Sequence, residues 1–272
     1  MTQQLKIGHL YPDQMNIYGD RGNIVTLIQR CLWRGIDAML QPIGVGAEVD
    51  WGALDIVFFG GGQDSGQALV AHDLVTRHGA ALKQAIDGGL VLLAICGGYQ
   101  LLGHYFLTHT GEKLPGIGAL DVHTVGSTKR MIGNVVVEAT GLRAQGSGVK
   151  GQNPKPWSPL TPEPRTPNPE PWKLVGFENH SGQTFLGANA RPLGTVLVGN
   201  GNNGEDGREG AVYQNTIGSY MHGSLLPKNP QLADELIRRA MQRRYGSDTL
   251  TALDDTLELR AQRVMIERVT GG

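Results

Sequence analysis

The chain is short of cysteine, of charge imbalance and of long apolar runs, and each shortage excludes something. Two cysteines, Cys31 and Cys96, cannot build a disulfide framework. A formal net charge of −1 with no long basic run argues against a nucleic-acid surface. No stretch of about 18 apolar residues is present, so no transmembrane segment is expected. The opening "MTQQLKIGHLYPD" has neither the charged start nor the long apolar core of a signal peptide. These readings together predict a cytoplasmic protein. Paired cysteines and clustered histidines at ligand spacing are missing, so no metal site is expected. The cluster "GGGQDSG" lacks the Lys-Ser/Thr that ends a P-loop and does not match the dinucleotide fingerprint, so it is not expected to hold a nucleotide.

What is present is a strand–helix rhythm in 272 residues, 40% of them hydrophobic, enough for one large α/β domain. "LKIGHL", "IDAMLQPI", "DIVFFGGG" and "LVLLAIC" read as strands. "GNIVTLIQRCLWRG" and residues 65–87 read as helices between them. Such alternation predicts a mostly parallel sheet flanked by helices. Cys31, among Ile28, Leu32 and Trp33, reads as core filler. The second half changes character: "NVVVEA", "KLVGFEN", "TVLVGN" and "TIGSYMHG" are short strand candidates that allow antiparallel pairing. A polar stretch from Gly199 to Gly210 reads as a hairpin or loop, and residues 229–269 as two helices broken near Gly246.

One tract departs from this rhythm. Residues 146–171 hold eight of the fourteen prolines. Proline removes amide donors and restricts the residue before it, so neither helix nor central strand is expected there. The tract reads as a solvated insertion into a single domain spanning 1–272.

The chemistry centres on "LVLLAICGGYQLLG". An apolar run ends at Cys96, two glycines permit a tight turn, and Tyr99, Leu101, Leu102 and Tyr105 follow at helical spacing. Cys96 thus stands between a strand and a helix N-terminus, where amide N–H groups favour a thiolate. A nucleophile also needs a base and oxyanion donors. Of eight histidines, His222 ends the apolar run "TIGSYMHG", and active crevices of parallel sheets lie beyond the C-terminal ends of strands. Spacing alone leaves a structural role open for His222. Gly60, Gly61 and Gly62 follow another buried strand, and their amides can face the same crevice as that of Gly97.

These motifs carry a resemblance. "AICGGYQLLG" with "SYMHG", after "FFGGGQD", resembles the class I glutamine amidotransferases, a flavodoxin-like α/β fold, in the cobyric-acid-synthase variant. More narrowly, "YPDQMNIYGDRGN", "GGGQDSGQ", "TKRMIGN", "GFENHSG" and "SYMHGSLLPKNPQLAD" resemble the glutaminase subunits of bacterial lipid II isoglutaminyl synthase. The resemblance implies Cys96 as nucleophile, His222 as its base, Arg130 as the glutamine-binding residue, and Gly61 and Gly97 as oxyanion donors. Gln100 matches a substrate-contacting glutamine of the wider class. Most of that class carries a glutamate two residues after the histidine, where this chain has Ser224. Glu178 and Asp20 are the carboxylates considered in its place, and the sequence selects neither.

The resemblance also implies a heterodimer with a Mur-ligase-like subunit that uses ATP and magnesium, while this chain needs no cofactor of its own. Ammonia from L-glutamine would amidate the D-glutamate α-carboxyl of lipid II at the inner face of the membrane, giving D-isoglutamine. The alternatives are a cobyric-acid-type glutaminase, a stand-alone cysteine amidohydrolase, or a binding module without chemistry.

Overall fold

The computed structural model describes residues 2–16, 19–62, 64–142 and 171–271. Apart from Pro171, the proline-rich tract expected at 146–171 lies outside the described residues.

The first half runs β1 (Gln4–Leu10), α1 (Arg21–Leu32), β2 (Asp37–Ile43), β3 (Ile56–Phe59), α2 (Asp64–Asp73), α3 (Gly79–Asp87), β4 (Val91–Ile95) and a short α4 (Gly97–Leu102). Every residue of β3 (IVFF) and β4 (VLLAI) is buried. Strands covered on both faces need apolar side chains throughout, which is why these segments read as continuous runs instead of alternating ones. α1 turns Ile24, Leu27 and Cys31 inward, so Cys31 fills the core as its spacing predicted. The one helix expected over 65–87 is instead α2 and α3, joined by a wide π-helical turn at Leu74–His78. At that junction Asp73 accepts hydrogen bonds from the Tyr11 hydroxyl at 2.8 Å and the Gly46 amide at 3.1 Å.

The second half continues through β5 (Tyr105–Leu107), β6 (Lys113–Pro115), β7 (Val122–Glu138), β8 (Lys173–Leu186), β9 (Gly194–Val198), β10 (Arg208–Glu209), β11 (Ala211–Tyr213), β12 (Thr216–Ser219) and β13 (Met221–His222). Three helices follow: α5 (Leu225–Lys228), α6 (Pro230–Tyr245) and α7 (Thr256–Thr270). Gly246, left-handed at φ 70°, ends α6 where the break was expected. α7 buries none of its residues, and its Gln262 donates to Asn229 Oδ1 at 2.8 Å.

Two sheets result. The first has the order β11-β12-β4-β3-β1-β2, with β11 the one strand antiparallel to its neighbour. Its parallel strands therefore run 2-1-3-4-12, the flavodoxin-like order. The second sheet realises the antiparallel pairing that the strand candidates of the second half allowed. It is antiparallel apart from the β5–β7 pair, and it is organised on β7 and β8, which pair from Val122↔Leu186 to Glu138↔Lys173. Of the short strands expected there, "NVVVEA" and "KLVGFEN" belong to these two long ones, "TVLVGN" forms β9, and "TIGSYMHG" forms β12 and β13.

The two sheets meet at residue 220. β12 lies parallel to β4 in the first sheet, and two residues after Ser219 the chain enters β13, which pairs antiparallel with β8 in the second. His222 is thereby carried over the C-terminal edge of the first sheet.

Candidate active site

Four strand ends of the first sheet deliver the site. The segment after β1 brings Asp20, that after β3 brings Gly60–Gly62, that after β4 brings Cys96, and β12 leads to His222. The C-terminal ends of parallel strands share one crevice, so residues far apart in sequence converge.

Cys96 occupies a sharp strand-to-helix turn. Its backbone stands at φ 49° and ψ −106°, a region that costs a side-chain-bearing residue about 1–3 kcal/mol. Two contacts hold it there. The Cys96 amide donates to the Ser219 carbonyl at 2.8 Å, and the Gly98 amide donates to the Gly60 carbonyl at 3.1 Å. Gly98 must be glycine for that approach, because a Cβ would stand 2.6 Å from the Phe59 carbonyl oxygen. The strained turn lifts the side chain above the sheet, the geometry of a nucleophile elbow.

His222 is fully buried beside it. Its Nδ1 lies 3.3 Å from Asp20 Oδ1, and Asp20 Oδ2 accepts the Gly61 N–H at 2.8 Å. Asp20 is itself completely buried. Gly61 is packed among all three: a Cβ there would fall 2.7 Å from His222 Cε1, 3.2 Å from Asp20 Oδ2 and 3.3 Å from Cys96 Cβ. Burial pushes the imidazole pKa down, but the Cys96 charge and the Asp20 carboxylate push it up further, to about 10. This environment favours the protonated imidazolium form of His222.

Asp20 thereby separates from the other carboxylate considered for this place. Glu178 accepts the Asn200 and Gly201 amides at 2.7 and 2.9 Å and the Asn200 side chain at 2.7 Å. It fixes the turn after β9. Its strand neighbour Phe177, not Glu178, is the register partner of His222.

Gln100 lies one helical turn beyond Cys96, with both ends of its amide engaged. Gln67 Nε2 donates to its Oε1 at 2.6 Å, and its own Nε2 donates to the Tyr220 hydroxyl at 3.0 Å. That hydroxyl also meets Thr184 Oγ1 at 2.6 Å, and the His180 ring stacks on Tyr220 with centroids 3.6 Å apart. Gln100 therefore belongs to a buried polar layer beneath the elbow. Gln67 was not singled out in the sequence, although it lies in "GGGQDSGQ". A Cβ on Gly97 would stand 2.5 Å from its Nε2.

Arg130 is exposed at the point where β7 slips register against β8, between Gly126 and Met131. Its Nε donates to Asn179 Oδ1 at 2.8 Å, two residues along β8 from the partner of His222. The described residues contain no group of three or more His, Cys, Asp or Glu able to hold a metal ion, and no helix long and apolar enough to cross a membrane.

Comparison with known proteins agrees with this geometry. Two solved structures from Thermotoga maritima, PurLQS and a glutamine amidotransferase, each align with a TM-score of 0.50 at 15% identity. They cover 89% and 98% of this chain, and the alignments span 97% and 99% of theirs. That likeness shows the fold. The profile of the CobB/CobQ-like glutamine amidotransferase domain matches residues 6–230. The lipid II isoglutaminyl synthase (glutamine-hydrolyzing) subunit GatD of Staphylococcus aureus is 35% identical over 97% of this chain and 96% of its own. The GatD subunit of Streptococcus pneumoniae is 36% identical over 93% of this chain and 87% of its own. Cobyric acid synthase of Pelotomaculum thermopropionicum is 31% identical over 63% of this chain, but that match covers 30% of the synthase. The chain belongs to the CobB/CobQ-like glutamine amidotransferases, in the family of the GatD subunits of lipid II isoglutaminyl synthase.

Proposed function

We propose that this chain hydrolyses L-glutamine to glutamate and ammonia as the glutaminase subunit of a lipid II isoglutaminyl synthase. The observation that carries the reading is Cys96 at the strained elbow with buried His222 beside it and Gly61 between them. The near full-length match to two GatD subunits supplies the substrate context.

The Cys96 thiolate attacks the side-chain amide carbon of glutamine. The Gly97 amide, at the start of α4, donates to the oxyanion that forms. The Gly61 amide, the second donor the resemblance implies, instead donates to Asp20 Oδ2 at 2.8 Å and keeps that carboxylate beside His222. As the carbon–nitrogen bond breaks, the His222 imidazolium gives its proton to the leaving nitrogen and ammonia departs. Neutral His222 then takes a proton from water, whose oxygen attacks the thioester. Glutamate leaves and the thiolate returns. Arg130 offers a forked guanidinium to the α-carboxylate of glutamine.

The ammonia passes to a second subunit, a Mur-ligase-like enzyme that uses ATP and magnesium to activate the D-glutamate α-carboxyl of lipid II. This chain works without a cofactor, in the cytoplasm, and reaches lipid II through that subunit. Ammonia release by the full chain, alone and with its co-expressed ligase subunit, tests the reading. Cys96→Ala should release none, and His222→Ala should lose at least about a hundredfold. Wild-type rates from Cys96→Ala would refute the site. A rate indifferent to the second subunit, with no co-purification, would favour a stand-alone amidohydrolase.

A further inference from the structure

The wider class places a glutamate two residues after its histidine, and Ser224 stands there in this chain. The structure shows what that serine does. Its Oγ donates to the Gly19 carbonyl at 2.5 Å, and its backbone is held at φ 54° and ψ 91°. Gly22 closes over it so tightly that a Cβ there would fall 2.1 Å from Ser224 Oγ. Asp20 lies between these two contacts, and its Oδ1 reaches to 3.3 Å from His222 Nδ1. Gly61 N–H holds the second oxygen and so fixes the plane of the carboxylate.

Resting on the glutaminase reading above, we propose that Asp20 is the positioning residue for His222, and that Ser224 pins the 19–22 segment that carries it. The orienting carboxylate has moved from the end of the histidine strand to the segment after β1, some two hundred residues earlier in the chain. A serine at the vacated position is short enough to admit Gly22, where a longer side chain would push the segment away. Asp20 takes no part in bond making. It keeps the Nδ1 proton of His222 in place and leaves Nε2 for the thiol and the leaving nitrogen.

The electrostatic consequence separates this role from a packing role. Cys96 faces His222 from the end of β4, and Asp20 faces it from the segment after β1. Removing the Asp20 charge takes away one of the two groups that stabilise the imidazolium. His222 should then lose its proton at lower pH.

The test uses Asp20→Asn, which keeps an acceptor for Gly61 N–H and so keeps the fold, together with Ser224→Ala and the double variant. Ammonia release from glutamine is followed against concentration and pH on the full chain with its co-expressed partner. Asp20→Asn should lower kcat by at least about tenfold with KM within about twofold, and should move the alkaline limb of kcat/KM to lower pH. Ser224→Ala should shift both quantities the same way by less. The double variant should match Asp20→Asn to within about twofold, because the pin has nothing left to position. An unmoved alkaline limb in Asp20→Asn, or a lowered melting temperature with kcat intact, overturns the assignment. Additive losses in the double variant overturn the pin. Neither result touches the underlying reading, which fails separately if Cys96→Ala stays active.

Discussion

A methyl group added at Gly98 would stand 2.6 Å from the Phe59 carbonyl oxygen and 2.9 Å from that of Gly60. Both acceptors are backbone atoms at the end of β3, so no side chain can swing aside to make room. Reaching even a tight 3.0 Å requires β3 and α4 to part by about 0.4 Å, and the Gly98–Gly60 hydrogen bond stretches with them. Overpacking of this kind typically costs about 1–3 kcal/mol. For a chain of this length that lowers the melting temperature by roughly 2–10 °C. Activity should suffer beyond stability, because the separating elements carry Gly61 and Gly97. Misplacing the Gly97 donor and the Gly61 contact to Asp20 by fractions of an ångström should cost about tenfold or more in ammonia release. Gly44→Ala is the control, since nothing lies within 4 Å of a Cβ there. It should melt within about 0.5 kcal/mol of wild type. Thermal melts and ammonia assays on Gly98→Ala that match wild type would refute the argument that close backbone approach builds the elbow.

Three further outcomes are expected. Arg130→Lys should raise the glutamine concentration needed for half-maximal rate, because an ammonium cannot reproduce a two-pronged contact with a carboxylate; an unchanged dependence would place Arg130 among the surface charges. Burial pushes the Glu209 carboxyl up from 4.5 to about 7, against hydrogen bonds from Ser219 and Tyr220. A raised folded pKa means this stabilisation is fully present below 4.5 and lost as pH rises through 7. Glu209→Gln should therefore remove a pH-dependent loss on the order of 3 kcal/mol, seen as a flatter stability profile in denaturant melts at mildly acidic and mildly alkaline pH; an unaltered profile would contradict the burial argument. Deleting residues 148–169 and bridging with a short glycine linker should leave melting and basal glutaminase activity nearly unchanged. β7 and β8 pair up to Glu138↔Lys173 beside the junction, and each doubling of loop length adds only about 0.6 kcal/mol. Loss of the folded state would show that the tract packs as part of the domain.

The parts of this fold legible in the sequence are those whose cause is local. β3 and β4 announce themselves because burial on both faces demands unbroken apolar runs. Cys96 stands out because a strand that ends in Cys-Gly-Gly and resumes as a helix has few other uses. Asp20 is different. Its position in "YGDRGN" holds no local sign that it will meet His222, since the contact is made by strand order across the sheet. Ser224 likewise reads as a missing glutamate until Gly19 and Gly22 are seen packed on it. The polar stretch from Gly199 to Gly210 reads only as a hairpin or loop, yet Asn202 and Asn203 within it are buried. Asn202 accepts the Gly210 amide at 2.9 Å and donates to its carbonyl at 3.0 Å, while Asn203 Oδ1 accepts two amides of the turn. Composition cannot distinguish an asparagine facing water from one that substitutes for water on the backbone.

The second sheet explains why the site can be assembled at all. A parallel strand such as β12 would by itself project its next residues away from β4, along the strand axis. β8 intercepts the chain instead, pairing Met221 with Glu178 and His222 with Phe177. Tyr220, at the crossing, is fixed through its hydroxyl to Gln100 on one side and Thr184 on the other, and so ties the helix behind Cys96 to the strand that captures His222. The same β8 segment then reaches Arg130 through Asn179. One strand of the second sheet thus sets the base and holds the cation expected to grip substrate, while the first sheet sets the nucleophile and the orienting carboxylate. Relative placement of the two halves depends on the buried polar layer between them. That layer must be satisfied hydrogen bond by hydrogen bond, because each buried group left without a partner costs about 1–3 kcal/mol.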